Sequence, residues 1–142
     1  MTDHISRSSI EIAAPAEAVW HAITSPEILG KLMFGSEIVT TWEVGSPILY
    51  RGAWEGKPFE DKGVIVEFDE PRRLRTTHFS PLSGAPDIPE NYHELEYLLE
   101  KLHDGTRVTL TQNNNPTGDA AKHSDEMWSA LLTALKKVVE EA

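Results

Sequence analysis

Near its C-terminus the chain reads MWSALLTALKKVV, from Met127 to Val139. On a helix advancing about 100° per residue, Met127, Trp128, Leu131, Leu132, Ala134, Leu135, Val138 and Val139 fall within an arc of about 160°. Ser129, Thr133, Lys136, Lys137 and Glu140 take the other side. A broad apolar face on a long helix must be buried against something equally wide. The middle of the chain alternates with the period of β-strands, so a curved sheet is the natural partner. A sheet wrapped around one long helix can enclose a space, and a container is therefore the first expectation.

The 142 residues suit one domain spanning 1–142, large enough to bury a core without covalent staples. Cysteine is absent, which excludes disulfides, thiolate nucleophiles and Cys-ligated zinc. That absence suits a reducing cytoplasm, the expected location. The opening MTDHISRSSIEI has no apolar signal-like stretch. No run approaches the roughly 18 apolar residues of a membrane span, so no membrane insertion is expected.

Punctuation along the chain divides it into short elements. Ile5 to Ile12 reads as a strand with Ile10 and Ile12 on one face. Pro15 opens a helix in which Val19, Trp20 and Ile23 share a stripe, and Ser25-Pro26-Glu27 starts a second, from Pro26 to Met33. Strands follow at 38–44, 48–54, 63–68, 74–79, 92–102 and 106–112, separated by turn signals at Gly45-Ser46-Pro47, Glu55-Gly56-Lys57-Pro58, Asp69-Glu70-Pro71 and His103-Asp104-Gly105. Hairpin succession implies an antiparallel sheet of seven strands, and Asn113-Asn114-Asn115-Pro116 closes the last one. Period two places Val108, Leu110 and Gln112 on one face, and His93, Leu95, Tyr97 and Leu99 on one face of the neighbouring strand. Acidic and hydroxylated residues occupy the opposite side, as expected of a sheet covered on one side only.

This succession, with the P-A-E-A-V-W helix, the S-P-E turn, a strand meander and a final M-W-x-x-L-L-x-x-L-K helix, resembles the Bet v 1-like, or START-like (SRPBCC), superfamily. Within it the chain is most similar to bacterial single-domain proteins related to the C-terminal domain of the Hsp90 ATPase activator. The resemblance runs from about Ile5 to Val139. It implies an α+β helix-grip fold: a seven-stranded antiparallel sheet gripping the C-terminal helix, two short helices between strands 1 and 2, and a cavity between sheet and helix. Lipid carriers, plant hormone receptors and polyketide cyclases share that fold. The eukaryotic activator's additional chaperone-binding domain is not expected in this chain.

No catalytic signature stands out. The six histidines show no H-E-x-x-H or comparable ligand spacing, and no phosphate loop or G-x-S-x-G elbow is present. Neither a metal nor a cofactor is expected. Alternation instead collects aromatic and polar groups on the inner face: Tyr50, Trp54, Thr76, His78, His93, Tyr97 and Gln112. Ser124 and Trp128 of the terminal helix lie above them, where Ala120, Ala121 and Ser124 make the cover thin. Three readings are open. The first is binding of a hydrophobic or aromatic small molecule in this cavity. The second is a cyclase, hydrolase or isomerase using His78, His93 or Gln112 as polar groups. The third is a chaperone-associated protein-interaction module with a filled core. The 80–91 loop, with three prolines, is either a lid over the cavity mouth or a surface excursion.

Charge bears on partners. Against 13 Lys and Arg stand 23 Asp and Glu, a net charge of −10. A polyanion is repelled by such a field unless a basic patch overrides it, and the one dense cluster is Arg72, Arg73 and Arg75. No nucleic-acid partner is expected. Titration with random duplex DNA at physiological salt should therefore give no sub-micromolar binding; such binding would restore the three arginines as a functional patch.

Overall fold

The computed structural model describes residues 4–33, 35–81 and 84–141, with the Trp54 side chain outside the description. Strand β1 (His4–Ile12) leads to helices α1 (Ala16–Ile23) and α2 (Pro26–Leu32). The strands β2 (Glu37–Val39), β3 (Pro47–Trp54), β4 (Lys57–Asp69), β5 (Arg73–His78), β6 (His93–Leu102) and β7 (Gly105–Asn115) follow, and α3 (Gly118–Glu140) ends the chain. All pairings are antiparallel, in the order β1-β7-β6-β5-β4-β3-β2. This is the helix-grip arrangement expected from the sequence. Among the described residues, no helix is long and apolar enough to cross a membrane.

Local chemistry explains the boundaries. The Ser25 hydroxyl accepts the Ile28 N–H at the start of α2, and Thr117 accepts the Ala120 N–H at 3.0 Å at the start of α3. Asp119 in the first turn of α3 and Lys137 in its last suit the helix dipole. The β3–β4 hairpin turns on Glu55 and Gly56 alone, both left-handed at φ 51° and 80°, as a tight two-residue hairpin requires. Lys57 and Pro58, expected in the turn, instead pair with Trp54 and Ala53. Strand β4 consequently starts at Lys57 rather than Gly63.

Two irregularities re-aim side chains. In β4 the register shifts between Ile65 and Glu67, so Ile65 meets Thr76 inside while Glu67 meets Arg75 outside. Alternation alone would have put Glu67 on the face of Ile65. In β7 the strand runs on to Asn115, past the expected end at Gln112, and Asn114 at φ 55° turns Asn115 inward.

The concave face carries the core. Helix α3 lies along β1 and β7, burying Trp128, Leu131, Leu132, Leu135 and Val139 against Val108, Leu110, Leu99 and α1. Val138, placed on the apolar arc by periodicity, is 40% exposed. It lies at the arc's margin, beyond the reach of the sheet. A second cluster, Leu29, Ile38, Ile48, Tyr50 and Ile65, covers the β2–β4 side, with α2 as its lid.

Strand β1 is a sheet edge, and α3 caps its outward backbone groups. Asp125 accepts the Arg7 N–H at 2.8 Å, Glu140 accepts the Ala13 N–H at 2.7 Å, and Lys136 donates to the Glu11 carbonyl at 2.9 Å. Small buried Ser6 and Ser8 face the helix, and Ser129 donates to Ser8 at 3.1 Å. The edge is thereby closed to strand addition.

Leu135→Ala should lower the free energy of unfolding by about 2–5 kcal/mol, whereas Val138→Ala should change it by less than about 0.5. Equilibrium denaturation of both variants checks the assignment. A Leu135 loss as small as the Val138 one would mean that α3 is peripheral.

Candidate functional site

At the end of the sheet where β5 finishes and β6 begins, the concave face becomes polar. His78 and His93 are cross-strand partners with ring centroids 6.3 Å apart and planes inclined by 26°. Tyr50 packs edge-on against His78 at 5.5 Å. Asp61, the partner of Tyr50 in β4, reaches the same point, and its Oδ2 lies 3.1 Å from His78 Nε2. Gly63 sits between them because a Cβ there would fall 1.8 Å from the Thr77 carbonyl oxygen. Thr76 and Tyr97 complete the group, 1% and 2% exposed.

Each imidazole has one nitrogen engaged. A carboxylate only accepts, so His78 donates through Nε2, and its buried Nδ1 has no partner. The Asn113 carbonyl likewise only accepts, so His93 donates through Nδ1 at 3.0 Å, and the Asn114 backbone makes a second contact with the ring. Burial, with a smaller contribution from His78, pushes the His93 pKa below the ordinary imidazole value and favours the neutral ring. Burial also holds the Tyr50 and Tyr97 phenols well above their usual range, so both keep their protons.

Hydrogen bonding in the cluster is incomplete. Six buried side-chain atoms among the described residues lack a partner, and three of them are here: His78 Nδ1, Asp61 Oδ1 and Thr76 Oγ1. The Thr76 hydroxyl neighbours that of Tyr50 without closing a well-formed hydrogen bond. An orphaned buried polar atom costs about 1–3 kcal/mol.

Three of the four remaining predicted residues form a different kind of group. Trp128 donates through Nε1 to Gln112 Oε1 at 2.8 Å. Gln112 donates to Asn115 Oδ1 at 2.8 Å and to Ser124 Oγ at 3.4 Å, and Ser124 donates to Asn115 Oδ1 at 3.1 Å. Asn115 donates in turn to the His4 carbonyl at 2.8 Å. This closed network fastens α3 to β7 and β1. Gln112 therefore has its amide committed to structure. The backbone of Trp54 continues β3 beyond Tyr50, and its side chain lies outside the described residues.

The chain matches the family model described as activator of Hsp90 ATPase homolog 1-like protein over residues 13–140. It belongs to that family. A solution structure of ChR145 from Cytophaga hutchinsonii is 46% identical, with 96% of this chain and 94% of that one covered and a TM-score of 0.85. The Aha1 dimer of Colwellia psychrerythraea, at 24% identity over 99% and 97% of the two chains, has a TM-score of 0.75. The structure of Ara h 8.0201 aligns at 14% identity over 99% and 100%, with a TM-score of 0.77, a likeness of fold. No curated protein matches the sequence.

Family membership leaves the position of a binding site to this chain's own geometry. A groove of about 580 Å³ opens at the far end of the sheet, between Ala16, the Asp69–Arg73 turn and 98–101. A neighbouring one of about 550 Å³ runs from Ala13 to the β6–β7 turn. Neither includes a predicted site residue. In the described part of the 80–91 loop, Asp87 pairs with Lys62, on the opposite face of β4 from Asp61, and accepts from the Tyr92 hydroxyl at 2.6 Å. On that outer face Arg75 bonds Glu94 at 2.9 Å and Glu67 at 3.1 Å, Arg73 lies 3.5 Å from Glu96, and Arg72 bonds Asp69 at 2.6 Å. Every arginine of the basic cluster thus has an acidic partner. Among the described residues, no three His, Asp or Glu side chains converge as a metal site.

Asp61, in the polar cluster, and Asn115, in the closed network, are the residues that sequence reasoning missed. Asp61 lay in an expected connection, and Asn115 in an expected turn.

A histidine whose folded pKa is depressed leaves the unfolded state binding more protons. Stability then rises with pH between the folded value and the ordinary 6.5, and falls as pH drops through that window. His93→Gln should flatten this slope in urea titrations run between pH 7 and about 5.5. An unchanged slope would remove His93 as its source.

Proposed function

We propose that this protein holds an apolar or aromatic small molecule against the concave face, between Tyr50, Thr76, His78, His93 and Tyr97 and the covering helices. The observation that carries the reading is the concentration of partnerless polar atoms within apolar walls supplied by Ile48, Ile65 and Leu95. Small-molecule sites combine such a lining with a few fixed polar groups. Membership of a superfamily that includes ligand carriers supports the same reading. The groove at the opposite end is the rival position. Its walls carry Asp69, Glu70, Arg72, Arg73, Glu100 and Lys101, a lining poorly matched to an apolar guest.

Fluorescence titration with the neutral probe N-phenyl-1-naphthylamine tests the proposal. Saturable binding of one probe per chain is expected. Thr76→Leu, which fills the space beneath the probe, should weaken it about tenfold, while overpacking costs the fold about 1–3 kcal/mol and leaves unfolding cooperative. Equal binding to both proteins, or none to either, would contradict the proposal.

A further inference from the structure

We infer that the groove at the Ala16 end of the sheet docks an extended peptide segment bearing lysine or arginine, which pairs with β6 where β5 falls short. This concerns the opposite end of the fold and stands independently of the container reading.

The sheet lacks a piece of strand at this place. Strand β5 begins at Arg73, opposite Leu98, whereas β6 runs on to Leu102 against β7. The Leu99 N–H donates to the Arg72 carbonyl at 2.8 Å. Alternate residues of a strand turn their backbone groups to the same side, so Lys101 also presents its N–H and C=O away from β7. Among the described residues, no hydrogen bond reaches the Leu99 carbonyl or either backbone group of Lys101 from that side. One residue of an antiparallel strand can bond both groups of Lys101 with both of its own. The β1 edge, by contrast, is capped by α3.

The space beside this edge is open. The groove of about 580 Å³ runs along 98–101, and its neighbour shares Ala16 and Lys101 with it. Leu98, Leu102 and Pro71 supply apolar surface for the side chains of an added strand. Charge selects the occupant. Lys101 pairs with Glu17, Arg72 with Asp69, and Arg73 with Glu67 and Glu96. Arg107, opposite Glu100 in β7, turns to Glu11. Glu70 and Glu100 thus line the groove with no ion-pair partner among the described residues. Such an excess opposes an anion, and a second copy of the chain carries the same net charge of −10. A cationic segment suits both the edge and the carboxylates.

Titration of the labelled protein with acetyl-KVKVK-amide, followed by amide chemical shifts, tests the inference. Saturable binding is expected, with the largest changes at Ala16, Leu99 and Lys101. Two further peptides are methylated on the backbone nitrogens of the valines or of the lysines. Only alternate amides of an added strand face β6, so one of the two should lose about tenfold in affinity and the other should keep it. Glu70→Gln combined with Glu100→Gln should weaken the parent peptide about fivefold. Equal affinity of the two methylated forms would mean attraction to net charge alone and overturns the inference. Changes centred on Ile38 and Val39 of β2, the other sheet edge, overturn it as well. Equal binding of acetyl-EVEVE-amide removes the cationic class, and no binding of the parent peptide removes the site. The peptide comparisons decide the matter on the unmodified chain, whatever the variant does to the fold.

Discussion

The seating of α3 along one edge of the sheet is the constraint on which the rest of the structure depends. The helix buries its apolar face on β7 and β1, and its polar side chains complete the outward hydrogen bonds of β1 at Arg7, Glu11 and Ala13. One helix thus solves two problems of an antiparallel sheet: the wet apolar face and the open edge. The buried network of Trp128, Gln112, Asn115 and Ser124 fixes its angle and register, because its amide and hydroxyl groups are paired in this arrangement.

That seating has a consequence for the remainder of the concave face. A helix confined to β1 and β7 leaves β2 to β4 to α2 and the second apolar cluster. The boundary between the two covers falls over Tyr50, His78, His93 and Tyr97, where the sheet turns polar. The Trp128, Gln112, Asn115 and Ser124 side chains beneath the helix are paired with one another, whereas His78 Nδ1, Asp61 Oδ1 and Thr76 Oγ1 beyond it have no partner. Stability and the proposed function therefore draw on adjacent but separate sets of residues. The outer face is separate again: its arginines and glutamates pair across β4, β5 and β6, so the arginines form no uncompensated basic surface.

Much of this was legible in the residues. The period of the terminal helix, the alternation of β6 and β7 and the hairpin signals led to the fold and to the inward direction of His78, His93, Tyr97 and Gln112. Pattern failed where the backbone departs from its period. The hairpin at Glu55-Gly56 is two residues shorter than the turn signals around it suggested, so β4 began late and Asp61 was lost from the inner face. The left-handed Asn114 turned Asn115 into the core from what looked like a polar terminus. Both missed residues owe their direction to a conformation that periodicity does not encode. The division of the predicted residues into a closed network and an unsatisfied cluster was illegible for another reason. It depends on distances between strands far apart in sequence.

Chemical-shift mapping tests the central claim most directly: that the polar end of the concave face, and not the open groove at the opposite end, receives the small molecule. Amide spectra of the labelled protein, recorded during titration with 2-naphthol, should show their largest changes at Tyr50, Thr76, His78, His93 and Tyr97. Changes centred instead on Ala16, Arg72, Leu98 and Lys101 would contradict the account.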